Sequence, residues 1–476
     1  MLKKLLGESA IYGISSIITR FISIFLVPIY TQVFSPSDYG IIALTIASFS
    51  LLGLFVVFGL DSASALYFYE FKDPEEQKKP IATWFWTQLT ISIFFSMVII
   101  SFSKSLSAIL FDSPNYYGIL ILGSLQMIFY TFTSVLQKWL RFQRKAFTTV
   151  SLTLATSLLN IALTILFVIY FEWGIEGIFL AMLVSSFLNF LLCLFMMKGW
   201  LSFSNYDRKL HKKMISFGLP LVPASIAYWV SNSSASYFLN FSLDQTDVGL
   251  FQVGASLATG VLLVTGAFQM AIGPFIFSQK DGPDIKLLIN RVFLGYISIT
   301  TIIVSAISIF AYEILVILTR EAYYPSKSVV PVLAFNFLLL GLNYIGALGL
   351  NMTKDNKPYM YAVISGAILN VLFFFLLIPI FGIVGAAWSM TLSNIVATSI
   401  IFNSSIKRYP IKFYFSRGLQ IVIIGAIVSF LANPWVPEQF WIGVLWKVLL
   451  VLILVLVIGL ISFPKLKLNS KIVTTV

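Results

Sequence analysis

Along this chain, apolar runs of about twenty residues alternate with short polar breaks from one end to the other. A helix rises 1.5 Å per residue, so each run is long enough to cross a hydrocarbon layer of about 30 Å. Fourteen such segments can be marked: 11–33, 39–60, 83–103, 116–137, 146–171, 175–197, 215–238, 247–273, 291–312, 327–350, 359–378, 383–403, 418–434 and 443–463. Inside a bilayer every backbone N–H and C=O must be bonded within the span. None of the runs alternates strictly as a barrel strand does, so the pattern predicts helices. The longest breaks are 61–82 and 198–214, too short for a soluble domain.

The charged residues sit where such a layout requires. Alternate breaks, counted from the N-terminus, hold 26 of the 31 lysines and arginines. The intervening breaks and the segment ends beside them hold Lys104, Arg320, Lys327 and Lys447. By the positive-inside rule this predicts both termini in the cytoplasm. Lys3 and Lys4 precede the first run as in a signal peptide, but the run continues as a full span and is read as an uncleaved helix.

Composition narrows the class further. The 476 residues are 59% hydrophobic and 11% charged, whereas soluble domains are about a quarter charged. The net charge of +12 lies in loops beside a membrane, so nucleic acid is not implied. The single cysteine, Cys193, falls in an apolar run and reads as packing. The single histidine, His211, falls in a basic loop and reads as solvated. No phosphate-cradling GxxxxGK[ST], HExxH or GxSxG is present, so no metal, cofactor or catalytic residue is expected, and the chain does not read as an enzyme.

The chain also repeats itself. LLNIALTILFVIYFEWGIEGIFLAM in the fifth and sixth segments parallels ILNVLFFFLLIPIFGIVGAAWSM in the eleventh and twelfth. Asn160 matches Asn370, Gly174 matches Gly382 and Gly177 matches Gly385, at offsets of 210, 208 and 208. Asp38-Tyr39-Gly40 matches Asp247-Val248-Gly249 at 209. A shift of six spans preserves orientation. The expectation is therefore an all-α integral membrane fold of about fourteen transmembrane helices. Two parallel pseudo-symmetric six-helix bundles, 1–200 and 215–412, are joined by a linker at 201–214 and followed by two further helices in 413–476. Parallel two-bundle transporters place their substrate between the halves.

Two stretches carry a resemblance. PIYTQVFSPSDYGIIALTIASFSLLGLFVVFGLDSASALYFYEF is similar to the N-terminal signature of bacterial polysaccharide-biosynthesis flippases, the Wzx-type O-antigen transporters. FGLPLVPASIAYWVSNSSASYFLNFSLDQTDVGLFQVG resembles their seventh and eighth helices. The resemblance runs over essentially the whole chain. It implies the superfamily that also holds lipid II flippases and multidrug and toxin extrusion antiporters, with a central cavity lined by helices 1, 2, 7 and 8. It further implies a substrate, an oligosaccharide repeat unit on a polyprenyl diphosphate, carried from the cytoplasmic to the outer face of a bacterial cytoplasmic membrane. Assembly partners such as a polymerase are implied in the same way. This chain departs from the pattern at Leu66, where an Arg is common, and at Ala235-Ser236, where an Asp-Arg pair is common.

Those departures throw weight onto Arg20, the one basic residue that the count assigns to neither side. A charge near mid-helix costs roughly 2.5–3.5 kcal/mol. Two readings stand: an arginine reaching back to the head groups, or one facing a wet cavity. In the second, its planar fork suits phosphate oxygens, and Ile17, Arg20, Ser23 and Ile24 share one helical face. Asp61, at the end of the second segment, would pair with Arg20 in an empty site or merely end the helix. On the seventh and eighth segments Trp229, Asn232, Gln252 and Gln269 are candidate substrate contacts, with packing or interhelical hydrogen bonding as the plainer role. Pro28, Pro220 and Pro223 are candidate hinges, or simple kinks. Gln88, Gln126, Asn160, Asn189, Asn336, Asn343, Asn370 and Asn394 read as hydrogen-bond glue between helices. The rival functions are an ion-coupled drug or cation antiporter and a polysaccharide polymerase or ligase. The first needs a carboxylate in mid-membrane; Asp61, Glu172, Glu176 and Glu313 all fall near segment ends. The second needs a large outer loop, and none is available.

Overall fold

A computed structural model gives the structure of the chain and describes residues 18, 26–278, 282, 284–353, 355–431 and 440–462. Among the described residues every regular element is helical. In chain order these are α1 (26–33), α2 (Pro36–Val57), α3 (Leu60–Glu70), α4 (Lys78–Ser101), α5 (Ser103–Phe111), α6 (Tyr117–Phe142), α7 (Ala146–Thr164) and α8 (Gly174–Met196). There follow α9 (Arg208–Gly218), α10 (Val222–Ser233), α11 (Ala235–Ser242), α12 (Gln245–Ala258), α13 (Val261–Ser278), α14 (Ile285–Ile309) and α15 (Ala311–Leu318). The last four are α16 (Val330–Met352), α17 (Lys357–Arg408), α18 (Phe415–Leu431) and α19 (Phe440–Ser462). Ten helices among the described residues are long and apolar enough to cross a membrane, or eleven if the bent pair of α12 and the first part of α13 is one span. At 52 residues α17 would be about 78 Å long, far beyond one bilayer core. It breaks at Gly382, whose φ of 57° only glycine adopts freely, where the sequence places the gap between segments eleven and twelve. The predicted first segment lies outside the described residues apart from Ile18 and α1.

The chain divides into two compact units. One comprises Met1–Val253, Leu318–Tyr323 and Val363–Ser393; the other comprises Gly254–Ile317, Tyr324–Ala362 and Asn394–Val476.

In the first unit the core joins α3, α4, α6, α8 and α9. Leu60, Ile81, Trp84, Leu136, Leu140, Cys193 and Met214 are all buried in it, which bears out the packing role of the cysteine. Lipid tails are as apolar as these side chains, so close packing and interhelical hydrogen bonds hold the helices together. The amides supply the bonds. Gln88 Nε2 donates to Ser134 Oγ at 3.1 Å, Gln126 Nε2 to Ser186 Oγ at 3.3 Å, and Asn160 Nδ2 to Ser185 Oγ at 3.2 Å. Asn370 Nδ2 donates to the Ser231 carbonyl at 3.2 Å. Each such bond contributes about 0.6 kcal/mol.

In the second unit α14 forms the spine. Gly418 and Gly425 let α18 approach Phe293, Ile297 and Thr301, and Ser305 Oγ donates to the Gly425 carbonyl at 3.1 Å. Asn394 Nδ2 donates to Asn336 Oδ1 at 2.6 Å. Lys447, counted from the sequence among loop charges, is instead buried inside α19. Its ammonium lies 2.6 Å from the Glu313 carboxylate of α15, and that partner allows a charge to stay out of water.

Three further expectations are corrected. The break predicted at 61–82 is mostly helical, because α3 runs to Glu70 and α4 begins at Lys78. The seventh segment is not one helix over 215–238. It is α9, a 3₁₀ turn at Leu219–Leu221, then α10 and α11. His211 belongs to α9, half-buried, with its Nδ1 3.0 Å from the Tyr206 hydroxyl.

Candidate functional site

The site is built around one long, interrupted helix path. Ser35 caps α2 by accepting from the Asp38 N–H, Asp38 returns the bond to the Ser35 N–H, and Pro36 supplies a pre-set φ in the first turn. The path stops at Phe58 and Gly59, both left-handed at φ 50° and 69°. A left-handed phenylalanine costs about 1–2 kcal/mol, so the surrounding packing must hold it there. Helix resumes at Leu60 and places Asp61 in the first turn of α3, where its negative charge suits the positive end of the helix.

The same path meets its neighbours through glycine at two levels. A methyl group added to Gly40 would fall on the Gln245 carbonyl oxygen, and one added to Gly249 on the Pro36 carbonyl oxygen. This contact is reciprocal under the 209-residue shift, since Pro36 maps to Gln245 and Gly40 to Gly249. At the break, a methyl on Gly59 would lie 2.8 Å from the Gly218 carbonyl oxygen, and one on Gly218 2.6 Å from that of Phe58. Gly40 and Gly59 are nineteen residues apart, about 28 Å of helix, which is close to the thickness of a bilayer core.

Between these two levels lies a cavity of about 980 Å³. Its walls come from α2, α3, α4, α6, α8 and the length of α10. Phe49, Met127, Phe179 and Met182 make it mainly apolar; Gln88, Gln126, Ser50, Ser225 and Ser233 add polar points, and Tyr130, Tyr228 and Trp229 add amphipathic rings. Trp229 Nε1 donates to Ser50 Oγ at 2.8 Å and so ties α10 to α2. Tyr237 and Ser48 share a second such bond at 2.6 Å. Gln88 is fully buried, and its Oε1 has no partner.

Asp61 is the sole Asp, Glu, Lys, Arg or His among the described residues lining the cavity. It pairs with Lys138 of α6, Nζ to Oδ2 at 3.0 Å, with side chains 40% and 24% exposed. A pair this wet is worth only about 0–1 kcal/mol. The Glu313–Lys447 pair, at 10% and 2% exposed, is a different object: removing one partner there costs about 3–5 kcal/mol. Among the described residues no group of three or more His, Cys, Asp or Glu could hold a metal ion.

Residues 29–279 match the family of polysaccharide biosynthesis proteins. The chain belongs to that family. A protein of the Lsg locus of Haemophilus influenzae is 22% identical over 279 residues, which are 58% of this chain. The chain spans 66% of that relative's length. The fold is that of the lipid II flippase MurJ in its inward closed conformation, with a TM-score of 0.75 at 16% identity over 95% of this chain and 98% of that one. An inward-facing MATE-family multidrug resistance transporter gives 0.71 at 13% identity over 82% and 98%. A MOP superfamily transporter from Pyrococcus furiosus gives 0.62 at 15% identity over 85% and 95%. This polysaccharide biosynthesis protein is thus a multi-pass membrane protein with the fold shared by those solved structures, a lipid II flippase and multidrug transporters among them.

Within it, the sequence-derived candidates separate. Asp61 and Trp229 line the cavity. Asn232 turns its Nδ2 back onto the Tyr228 carbonyl at 2.8 Å and is not among the lining residues. Gln252 is half-buried on α12, also away from the lining. Gln269 belongs to the second unit, where its carbonyl accepts from the Tyr344 hydroxyl at 3.4 Å. Pro28 sits within α1, Pro220 in the 3₁₀ turn, and Pro223 in the first turn of α10. Arg20 lies outside the described residues. Among the described residues, Asp61 pairs with Lys138. The sequence ranks Lys138 only as a loop charge, because nothing in it tells that α6 runs on past it to Phe142.

Proposed function

We propose that the protein carries a polyprenyl-diphosphate-linked oligosaccharide repeat unit from the cytoplasmic to the outer leaflet of a bacterial cytoplasmic membrane, by alternating access, for assembly of a surface polysaccharide. The observation that carries the reading is the cavity of about 980 Å³ held between two glycine contacts along one helix path. Its volume matches the upper range of small-ligand sites, enough for a sugar head group while the lipid tail stays in the bilayer. The family assignment supplies the pathway. The Gly40–Gly249 level is read as the outer closure and the Gly59–Gly218 level as the inner one, following the charge-based topology. Two six-helix bundles, 1–200 and 215–412, would be the moving halves, with 201–214 between them and 413–476 as an accessory pair of helices. Pro220 and Pro223 would flex the inner closure, Pro28 the first helix. A polymerase would receive the product.

The antiporter reading fares less well on one point. Exchange chemistry needs a free carboxylate in the path, and the cavity's Asp61 is already neutralised by Lys138.

The test is outward transfer of a labelled polyprenyl-diphosphate oligosaccharide in proteoliposomes. Arg20→Ala is expected to slow transfer about ten- to a hundredfold, the worth of one charge-assisted bond, with Arg20→Lys intermediate. Trp229→Ala is expected to slow it about tenfold, and Trp229→Phe less, because the ring face survives while the bond to Ser50 is lost. A folded wild-type protein that moves no such lipid, but exchanges cations for drugs, would overturn the reading.

A further inference from the structure

We infer that Lys138 is an anion-receiving cation of the cavity, and that Asp61 is its resting counter-ion, displaced when a phosphate-bearing head group enters. The inference rests on reading the cavity as the substrate path. The wall carries one acid and no base among its described lining residues. Left alone, that acid would repel a phosphate. It is not left alone: Lys138 holds it at 3.0 Å, so one cation stands directly behind the lining acid with its charge spent on that carboxylate.

Three features make the pair exchangeable. Both side chains are part-exposed, so the bond competes with water and is weak enough to give up. The backbone beneath Lys138 is rigid, because Val135, Leu136, Trp139 and Leu140 are buried in the core around it. Only the four-carbon stem has to move, and an ammonium on such a stem is a mobile point charge suited to phosphate. Asp61 does not become stranded when Lys138 leaves. It is 24% exposed, sits in the first turn of a helix, and Ser62 Oγ donates to its Oδ1 at 3.4 Å. A singly charged carboxylate cannot hold the ammonium against a diphosphate with at least twice its charge. The chain therefore keeps on α6 a cation that it lacks at Leu66 and Ser236, and masks it until a suitable anion arrives.

The experiment is calorimetric titration of the purified full-length protein in detergent at low salt. The probes are inorganic diphosphate and farnesyl diphosphate, applied to wild type, Lys138→Met, Lys138→Arg and Asp61→Asn. Each variant is first checked for an unchanged gel-filtration profile and unfolding temperature. The expected result is about tenfold weaker binding for Lys138→Met, near wild-type binding for Lys138→Arg, and several-fold tighter binding for Asp61→Asn, which unmasks the cation. If both probes behave this way, phosphate alone is the ligand chemistry; if only farnesyl diphosphate does, the lipid head group is the source. Affinity unchanged in Lys138→Met, or weakened in Asp61→Asn, overturns the inference, as does a wild type that binds neither probe. Because this is a binding assay, it stands apart from the transfer assay. A Lys138-dependent site in a protein that flips no lipid would sink the proposed function and leave this inference standing. Full transfer by Lys138→Met with unchanged affinity would do the reverse.

Discussion

Gly40→Ala and Gly249→Ala are each expected to shift the closed population at the start of α2 and α12 by about ten- to a hundredfold. The reason is that the obstacle is backbone. A Cβ at either position lands on a carbonyl oxygen of the opposing helix, which no rotamer change can move aside. The helices must separate, and overpacking of this kind costs about 1–3 kcal/mol. A cost paid in only one of two states moves the equilibrium between them by the corresponding factor. The two substitutions should be strongly non-additive. Once one methyl has separated the helices, the second finds room, so the double variant should resemble either single one. The measurement is labelling of a Ser225→Cys reporter, which lines the cavity, by an impermeant maleimide from outside the cell; buried Cys193 contributes little background. Labelling should rise in all three glycine variants. Labelling that stays at the parental level would show that this contact is not a closure of the path.

The second large effect concerns the buried ion pair of the second unit. Lys447→Met is expected to destabilise the protein by about 3–5 kcal/mol, because it strands a carboxylate that is 10% exposed and whose Oε2 already lacks a partner. Adding Glu313→Leu should recover most of that loss. Two apolar groups of similar size need no desolvation, whereas two charges do, even when they meet at 2.6 Å. Thermal unfolding in detergent, followed by the monomer peak in gel filtration, compares the three proteins. If the double variant is as unstable as Lys447→Met, the ion pair itself is net stabilising and α19 depends on it. The contrast with Asp61–Lys138 is one of burial: a dry pair locks α19 to α15, and a wet pair is free to trade partners.

How much of this was legible beforehand depends on how local the signal is. The apolar runs located the described helices well because span length is set by bilayer thickness and is written in one dimension. Gly382 was legible as a break because a matching glycine, Gly174, opens the corresponding turn in the first half. The repeat at Asp38-Tyr39-Gly40 and Asp247-Val248-Gly249 was legible as similarity, though not as contact. That those two tripeptides face each other, each glycine beneath the other's carbonyl, is a tertiary fact. The family resemblance pointed to helices 7 and 8 for substrate contacts, and of the four residues chosen there only Trp229 lines the cavity. The wall is drawn as much from α4, α6 and α8, where Gln88 and Gln126 both bond between helices and line the cavity.

By itself, then, the sequence determined that this is an all-helical membrane protein, roughly where most of its described helices run, and which family it belongs to. Each of these follows from periodicity, length or pattern along the chain. Tertiary structure alone decided which charges pair. Asp61 and Lys138 are 77 residues apart and Glu313 and Lys447 134 apart, and no rule of spacing brings either pair together. It also decided where helix would run past an expected boundary, in α3 and α6, because the core of Leu60, Phe68, Leu136 and Leu140 rewards continued packing beyond the apolar run. Charge placement follows from that packing: Lys138 reaches Asp61, the acid among the described lining residues, because α6 stays helical for one more turn.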